Sequence, residues 1–523
     1  MSAEPKQIVM LASENNALIN GKIGGLADVI CDLPDALADF GFKITVITPA
    51  YGFLHKTNPS KLLTKILFPF CGKTFEGEIW QVIAKNPKEN VTHLVFEHPA
   101  IRGTPIYSID PLDQPFAQDA TKFALFTSAI GQFLKSLDSS SIIHLHDWHT
   151  PTLLLLKELH PQFEHLRKHK FVFTIHNLAY QGNRPMCGKH STVEEWFPEL
   201  FNETSWIQYW KDTRYKEPQF TPLAAGIKYA DKVNTVSPTY AEEILIPSDH
   251  TKGFYGGEGL DPLLIKANSE HRLYGILNGI NYPSQIESHR LSFTDLTDLI
   301  IQEVENENRE NPDRHSDHLL LRLRKIRTRK PKILLTSITR VTEQKVRLLF
   351  ETGPDGKSSI DKILEDLERE DGFYFFLGNG TRELEKKCER TFKRHERFIY
   401  IKLFSNPISQ TLYANGSIFM MPSSFEPCGI SQMIAMRHGQ PCIVHAVGGL
   451  KDTVIDGVNG FQFSGSTIKE QVDDFVSVTK KAINIYLNDK PQWEKIKSAA
   501  ANARFDWKES AEKYIRYLYK KKD

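Results

Sequence analysis

Short apolar runs recur along the chain, and each ends in a polar turn. Residues 7–12 (QIVMLA) form the first, followed by a loop that contains glycines. From Leu26 the apolar positions Leu26, Val29, Ile30, Leu33 and Leu37 fall three or four apart, which predicts a helix with one buried face. Gly41 stands where a helix-ending residue belongs, and residues 43–48 (KITVIT) begin a second strand. Strand, loop, helix and strand make a βαβ unit. The same pattern predicts strands over 141–145, 171–175 and 231–236 in the first half. In the second half it predicts them over 332–337, 373–377, 398–403, 417–421 and 442–445. Unbroken apolar strands alternating with helical stretches indicate parallel sheets covered on both faces. The expected fold class is therefore α/β, with two doubly wound domains.

The pattern lapses between the halves. Residues 283–331 show no strand periodicity and pass from an acidic run, EVENENRENPD, to a basic one, LRLRKIRTRKPK. They read as a linker between an N-terminal domain, 1–282, and a C-terminal domain, 332–505. The last segment, 506–523, carries an amphipathic helix. No aromatic residues interleave the basic run, so a solvated helix face or hinge accounts for it better than a nucleic-acid patch.

Length and charge narrow the class. The 523 residues suit about three domains or two large ones. With 65 Lys+Arg against 64 Asp+Glu the net charge is +1, so neither nucleic acid nor a membrane surface is an expected partner. No run approaches the roughly 18 apolar residues of a membrane span. The opening MSAEPKQIVMLASENN lacks a secretory pattern, and the six cysteines are scattered without a CxxC. A cytoplasmic setting without disulfides or structural zinc is expected.

Open α/β sheets bind ligands at the carboxyl ends of their strands, and the unusual polar clusters fall at such ends. KIGG, 22–25, opens the first helix; its glycines allow close backbone approach, and a helix N-terminus favours anions. HLHDWH, 144–149, puts His144 and His146 on one strand face and Asp147 at the end. A His-x-His pair can hold a metal, but a hydrogen-bonded strand terminus explains these histidines better, leaving Asp147 as the candidate. HNLAYQG, 176–182, offers His176 and Asn177 for sugar hydroxyls. Arg340 and Lys345 share one strand-exit loop, as a pyrophosphate site would require, or a plain surface loop. Glu426 in FEPCG lies just before a helix, as a ligand acceptor or as a helix cap. AVGGL, 446–450, is a second Gly-Gly at a helix start.

Together, KIGGLADVICDLPDALADFGFKITVITPAYG, HLHDWHT, FTIHNLAYQG, NTVSPTYAEEI, GILNGI, TRVTEQK and MPSSFEPCGISQMIAMRHGQPCIVHAVGGLKDTV resemble the bacterial glycogen synthase and plant starch synthase family. The resemblance runs from Ile8 to about Tyr517. It implies the GT-B fold, two Rossmann-like domains facing a cleft with a C-terminal helix crossing back to the first. It also implies a retaining glucosyltransferase that extends α-1,4-glucan from ADP-glucose with no metal or other cofactor.

Site roles follow from the resemblance by position. Lys22, Gly24 and Gly25 match the loop near donor phosphate and reacting glucose, and Asp28 matches an acceptor-side Asp. Asp147, His176 and Asn177 line the sugar site. Arg340 and Lys345 match the phosphate-binding pair. Glu426, Cys428 and Gly429 match glucose contacts, and Ser431 a phosphate contact. The implied catalytic set is Asp147, His176, Arg340, Lys345 and Glu426. Departures from the motifs are Ile23, Ala27, Asn281, Val346, His445 and Val447. Two alternatives stay open: another donor or acceptor, such as UDP-glucose, and a glucan-binding paralogue without turnover.

Overall fold

The computed structural model describes residues 7–111, 113–137, 139–188, 190–282, 290–353 and 355–520. The chain divides into two compact units. The first holds residues up to Pro247, Gly256–Gly279 and the chain from Trp507 onward. Its strands are β1 (Gln7–Leu11), β2 (Lys43–Pro49), β3 (Ser60–Phe70), β4 (Lys73–Val82), β5 (Val91–Glu97), β6 (Ile142–His146), β7 (Lys170–Ile175), β8 (Arg184–Pro185), β9 (Gln219–Phe220), β10 (Lys232–Thr235) and β11 (Leu273–Gly275). Nine form one sheet in the order β11-β10-β7-β6-β1-β2-β5-β4-β3, and β8 pairs with β9. From β11 to β5 every pairing is parallel, with Ile8 opposite both Ile44 and Ile142. Strands β3 and β4 add an antiparallel edge that the apolar pattern does not predict. A half-solvated edge gives no unbroken apolar run, and Leu62, Leu63 and Leu67 of β3 are exposed.

The first predicted helix spans Leu26–Ala38, and all five of its predicted core positions are buried. They share a core cluster with Ile8, Met10, Ile44 and Val46 of the adjoining strands. The chain's last helix, Trp507–Tyr514, joins the same cluster, and Trp507 Nε1 donates to Asp32 at 3.2 Å. A single π-helical turn, Ile515–Tyr519, then buries Leu518 and Tyr519.

The second unit comprises Ser248–Tyr255 and Ile280–Asp506. Its strands are β12 (Ile333–Ile338), β13 (Gly372–Leu377), β14 (Phe398–Ile401), β15 (Ile418–Met421), β16 (Cys442–His445) and β17 (Gly460–Phe463). They make an all-parallel sheet in the order β14-β13-β12-β15-β16-β17.

The linker reading of 283–331 is corrected. Residues 283–289 lie outside the described residues, but the rest folds as part of the second unit, in helices Phe293–Glu310 and Arg314–Ile326. Ser292 and Asp313 cap them by accepting from the backbone N–H groups of Asp295 and His315. Leu296, Ile300 and Val304 from one helix, and Leu319, Leu323 and Ile326 from the other, enter the unit's core. The basic run pairs with the preceding helix, Arg324 with Glu305 of the acidic run at 2.5 Å and Arg327 with Asp298, ahead of that run, at 2.7 Å. Arg322 donates to the carbonyls of Phe392, His395 and Phe398. The basic run is thus a folded helix face and not a free cationic patch.

Candidate active site

In the first unit, Asp147 directly follows β6 in a left-handed conformation, φ 52°, that Asp tolerates better than most residues. It is 8% exposed, and its Oδ1 accepts from the backbone N–H of His176 at 2.7 Å and of Asn177 at 3.3 Å. Those two residues directly follow β7, the neighbouring strand, so parallel pairing brings both strand ends together. Burial pushes the Asp147 carboxyl up to about 7; the two amides oppose the shift and the Glu14 charge adds to it. Burial also lowers His176 to about 3, which leaves it neutral. His176 Nε2 lies 3.0 Å from Nδ1 of the fully buried His146. Asn177 is turned inward on its own loop, its Oδ1 accepting from the Ala179 N–H at 3.0 Å.

The KIGG loop is held by a residue the sequence pattern did not single out. Glu14, 2% exposed, accepts from the N–H of Ile23 at 2.7 Å and of Gly24 at 2.6 Å. These loop amides, offered to an anionic ligand by the sequence reading, already serve an internal carboxylate. A Cβ on Gly24 would come within 3.0 Å of Glu14 Oε1, so close approach of Glu14 explains that glycine. Nothing lies within 4 Å of a Cβ built on Gly25. Lys22 pairs with Asp28, with both oxygens at 2.7 Å, and Asn16 donates to the same carboxylate at 2.8 Å. The signal for Glu14 was its position, an acid three residues after the first apolar strand.

In the second unit the resemblance-derived residues converge on two loops. Lys345, in the helix Glu343–Phe350 after β12, forms an ion pair with Glu426, in the loop after β15. Ser423 Oγ donates to the same Glu426 oxygen at 3.1 Å. Glu426 is 6% exposed and is not a helix cap: the helix Ser431–Arg437 begins at Ile430 with no side-chain cap. Gln344 ties the loops together, its side chain donating to the Phe425 carbonyl at 3.0 Å and its backbone carbonyl accepting from the Ser424 N–H at 2.8 Å. Arg340 lies between β12 and that helix, exposed, and its guanidinium has no hydrogen-bond or ion-pair partner among the described residues.

Backbone packing sets the FEPCG turn. Gly429 has φ 73°, and a Cβ there would meet Glu426 Cγ at 3.1 Å. The AVGGL glycines pack against the same turn: Cβ atoms on Gly448 and Gly449 would fall 2.0 Å from the Glu426 carbonyl oxygen and 2.3 Å from that of Cys428. Cys428 is buried, and Ser431 hydrogen-bonds the buried Tyr413. His445, one of the motif departures, stacks on Phe463 and meets the Ser423 carbonyl at 3.0 Å, so it braces the Glu426 loop. Val346 is a core residue.

Within the histidine row, His144 has protein partners at both ring nitrogens. His144 Nδ1 meets Tyr519 Oη at 2.9 Å, and its Nε2 meets Thr174 Oγ1 at 2.7 Å. Among the described residues no cluster of three or more His, Cys, Asp or Glu side chains is arranged to hold a metal, and no helix is long and apolar enough to cross a membrane.

Residues 7–266 match the starch synthase catalytic domain family, and residues 326–503 match the glycosyl transferases group 1 family. Over 525 residues the chain is 30% identical to a glycogen synthase of Exiguobacterium sibiricum, covering 94% of this chain and 95% of that protein. It is 29% identical to a glycogen synthase of Francisella tularensis subsp. holarctica over 518 residues, 95% and 96% of the two chains. The catalytic domain of starch synthase IV from Arabidopsis thaliana, bound to ADP and acarbose, shares the fold. The TM-score is 0.72 at 24% identity, with 98% of each chain covered.

Proposed function

The chain belongs to the glycogen and starch synthase family, and from that premise we propose that it transfers glucose from ADP-glucose to the non-reducing end of an α-1,4-glucan, with retention of configuration. The observation that carries the reading is positional. Asp147 and His176 follow the parallel strands β6 and β7 directly, and Arg340 and Glu426 lie in the loops after β12 and β15. Strand carboxyl ends are where doubly wound sheets bind nucleotides and sugars.

The second unit's residues act on the leaving group. As the bond from glucose C1 to the phosphate oxygen breaks, negative charge gathers on the diphosphate. Arg340, with no partner to give up among the described residues, and Lys345, turning from Glu426, neutralise it. Glu426 is then free to accept from glucose hydroxyls. The first unit's residues act on the sugar. His176, neutral, hydrogen-bonds it without adding charge, and ionised Asp147 stabilises positive character at C1. The acceptor O4 attacks C1 from the face the phosphate leaves, and its proton passes to the departing phosphate oxygen. Lys22, Gly24, Gly25, Asn177, Cys428, Gly429 and Ser431 are assigned to the donor, and Asp28 to the acceptor. Arg340 and Lys345 supply the charge that a divalent cation gives other nucleotide-sugar enzymes, so no metal is proposed. The cytoplasm is the proposed setting.

The donor is tested by kcat/KM on glycogen with ADP-glucose and with UDP-glucose. A higher value with ADP-glucose is expected. A higher value with UDP-glucose overturns the donor assignment and leaves the family untouched.

A further inference from the structure

We propose that His146 fixes His176 in the tautomer carrying its proton on Nδ1, and that Tyr519, at the end of the chain, holds His146 in place through His144. His146 and Tyr519 are thus positioning residues. The inference rests on the reading of His176 as a donor-sugar contact.

His146 is 0% exposed, and its Nε2 is buried with no hydrogen-bond partner among the described residues. Its Nδ1 lies 3.0 Å from His176 Nε2. Burial lowers both rings, so each carries one N–H. A buried N–H without an acceptor is rarer than an unpaired lone pair, because the donor has only one direction to satisfy. The His146 proton therefore sits on Nδ1 and is donated to His176 Nε2. His176 must then carry its own proton on Nδ1, which no hydrogen bond among the described residues engages. His176 presents an N–H, a donor suited to a hydroxyl oxygen and not to a hydroxyl proton.

The His146 ring is held in turn. It packs on His144 with ring centroids 4.1 Å apart. Tyr519 Oη at 2.9 Å and Thr174 Oγ1 at 2.7 Å occupy both nitrogens of His144, so that ring cannot rotate without losing a bond. Asn234 completes the brace, donating to Thr174 Oγ1 at 3.3 Å and to Tyr514 Oη at 3.0 Å. The terminal segment enters this network through Tyr514 and Tyr519.

The test combines spectroscopy and kinetics on the full chain. Protein labelled with ring-15N histidine is compared with a His176→Gln sample to assign the His176 signals. A protonated Nδ1 with an unprotonated Nε2 is expected; a protonated Nε2 overturns the proposal whatever the enzyme does. His146→Leu removes the donor, so kcat should fall about tenfold or more, in the range of a lost positioning contact, with KM changing much less. His146→Asn, whose amide nitrogen takes the place of Nδ1, should restore most of kcat. Tyr519→Phe should broaden or split the His176 ring signals and lower kcat by a smaller factor. A His146→Leu enzyme with unaltered kcat and a single unchanged tautomer overturns the positioning role. If the wild-type chain transfers no glucose at all, the functional reading fails, and the 15N signature still decides the tautomer.

Discussion

Each unit ties one site lysine to one site carboxylate, and the two ties differ in burial. In the first unit, the Lys22 side chain is 41% exposed and that of Asp28 17%. In the second, Lys345 and Glu426 are 12% and 7% exposed. An exposed pair is screened by water and contributes about 0–1 kcal/mol, so Lys22 can leave Asp28 for a ligand at little cost. In a buried pair neither member can be left alone without stranding a charge. Release of Lys345 therefore needs a replacement anion, and release of Glu426 a replacement donor. A nucleotide-sugar brings both, a diphosphate and sugar hydroxyls. Under the proposed function, the buried tie makes release in the second unit dependent on substrate, while the exposed tie lets Lys22 part from Asp28 without it.

The sharpest break of this comparison is to remove one buried partner. Glu426→Ala should lower unfolding stability by about 3–5 kcal/mol in urea titration, because Lys345 is left buried and unpaired. Glu426→Gln keeps an acceptor for Lys345, so it should lose much less stability while still losing about a hundredfold in kcat. Next in size, Arg340→Ala or Lys345→Ala should lower kcat about a hundredfold, some 3 kcal/mol, with a smaller rise in KM. A raised KM with unchanged kcat would show that these cations bind donor uniformly and do not act on the leaving group.

A third prediction concerns pH in the first unit. The Asp147 carboxyl sits at about 7 in the folded chain, against about 4 when unfolded. A raised carboxyl favours folding below the unfolded value, and that contribution is lost as pH rises through the folded one. Asp147→Asn should therefore raise the melting temperature at pH 8 and leave it nearly unchanged at pH 4. An equal gain at both values would remove the burial explanation. Smaller again, Lys22→Ala should change stability by less than about 1 kcal/mol, although it is expected to reduce turnover. A loss as large as that of Glu426→Ala would erase the contrast between the two ties. Smallest of all, EDTA should leave the rate unchanged; loss restored by a divalent ion would return the leaving-group role to a metal.

What was legible in the sequence follows from how far apart the interacting groups lie. Parallel strands buried on both faces are continuous apolar runs, so β1, β2, β6, β7 and β16 and the polar turns after them could be read directly, Asp147 and His176 included. The helices Phe293–Glu310 and Arg314–Ile326 resemble a linker in sequence because charge dominates their composition. Yet Leu296, Ile300 and Val304 recur at helical spacing ahead of and into the acidic stretch. Glu426 has the sequence neighbours of a helix cap, but its partner lies 81 residues away. Glu14 was missed for a related reason. Its partners are backbone N–H groups, which carry no side-chain signature.

The most direct measurement follows ADP release and glucan-bound glucose together, in one reaction of the chain with ADP-glucose and glycogen, and reads the new linkage by NMR. One ADP for each glucose added, in α-1,4 linkage, is the expected result. ADP released with free glucose, or a β-linked product, would contradict it.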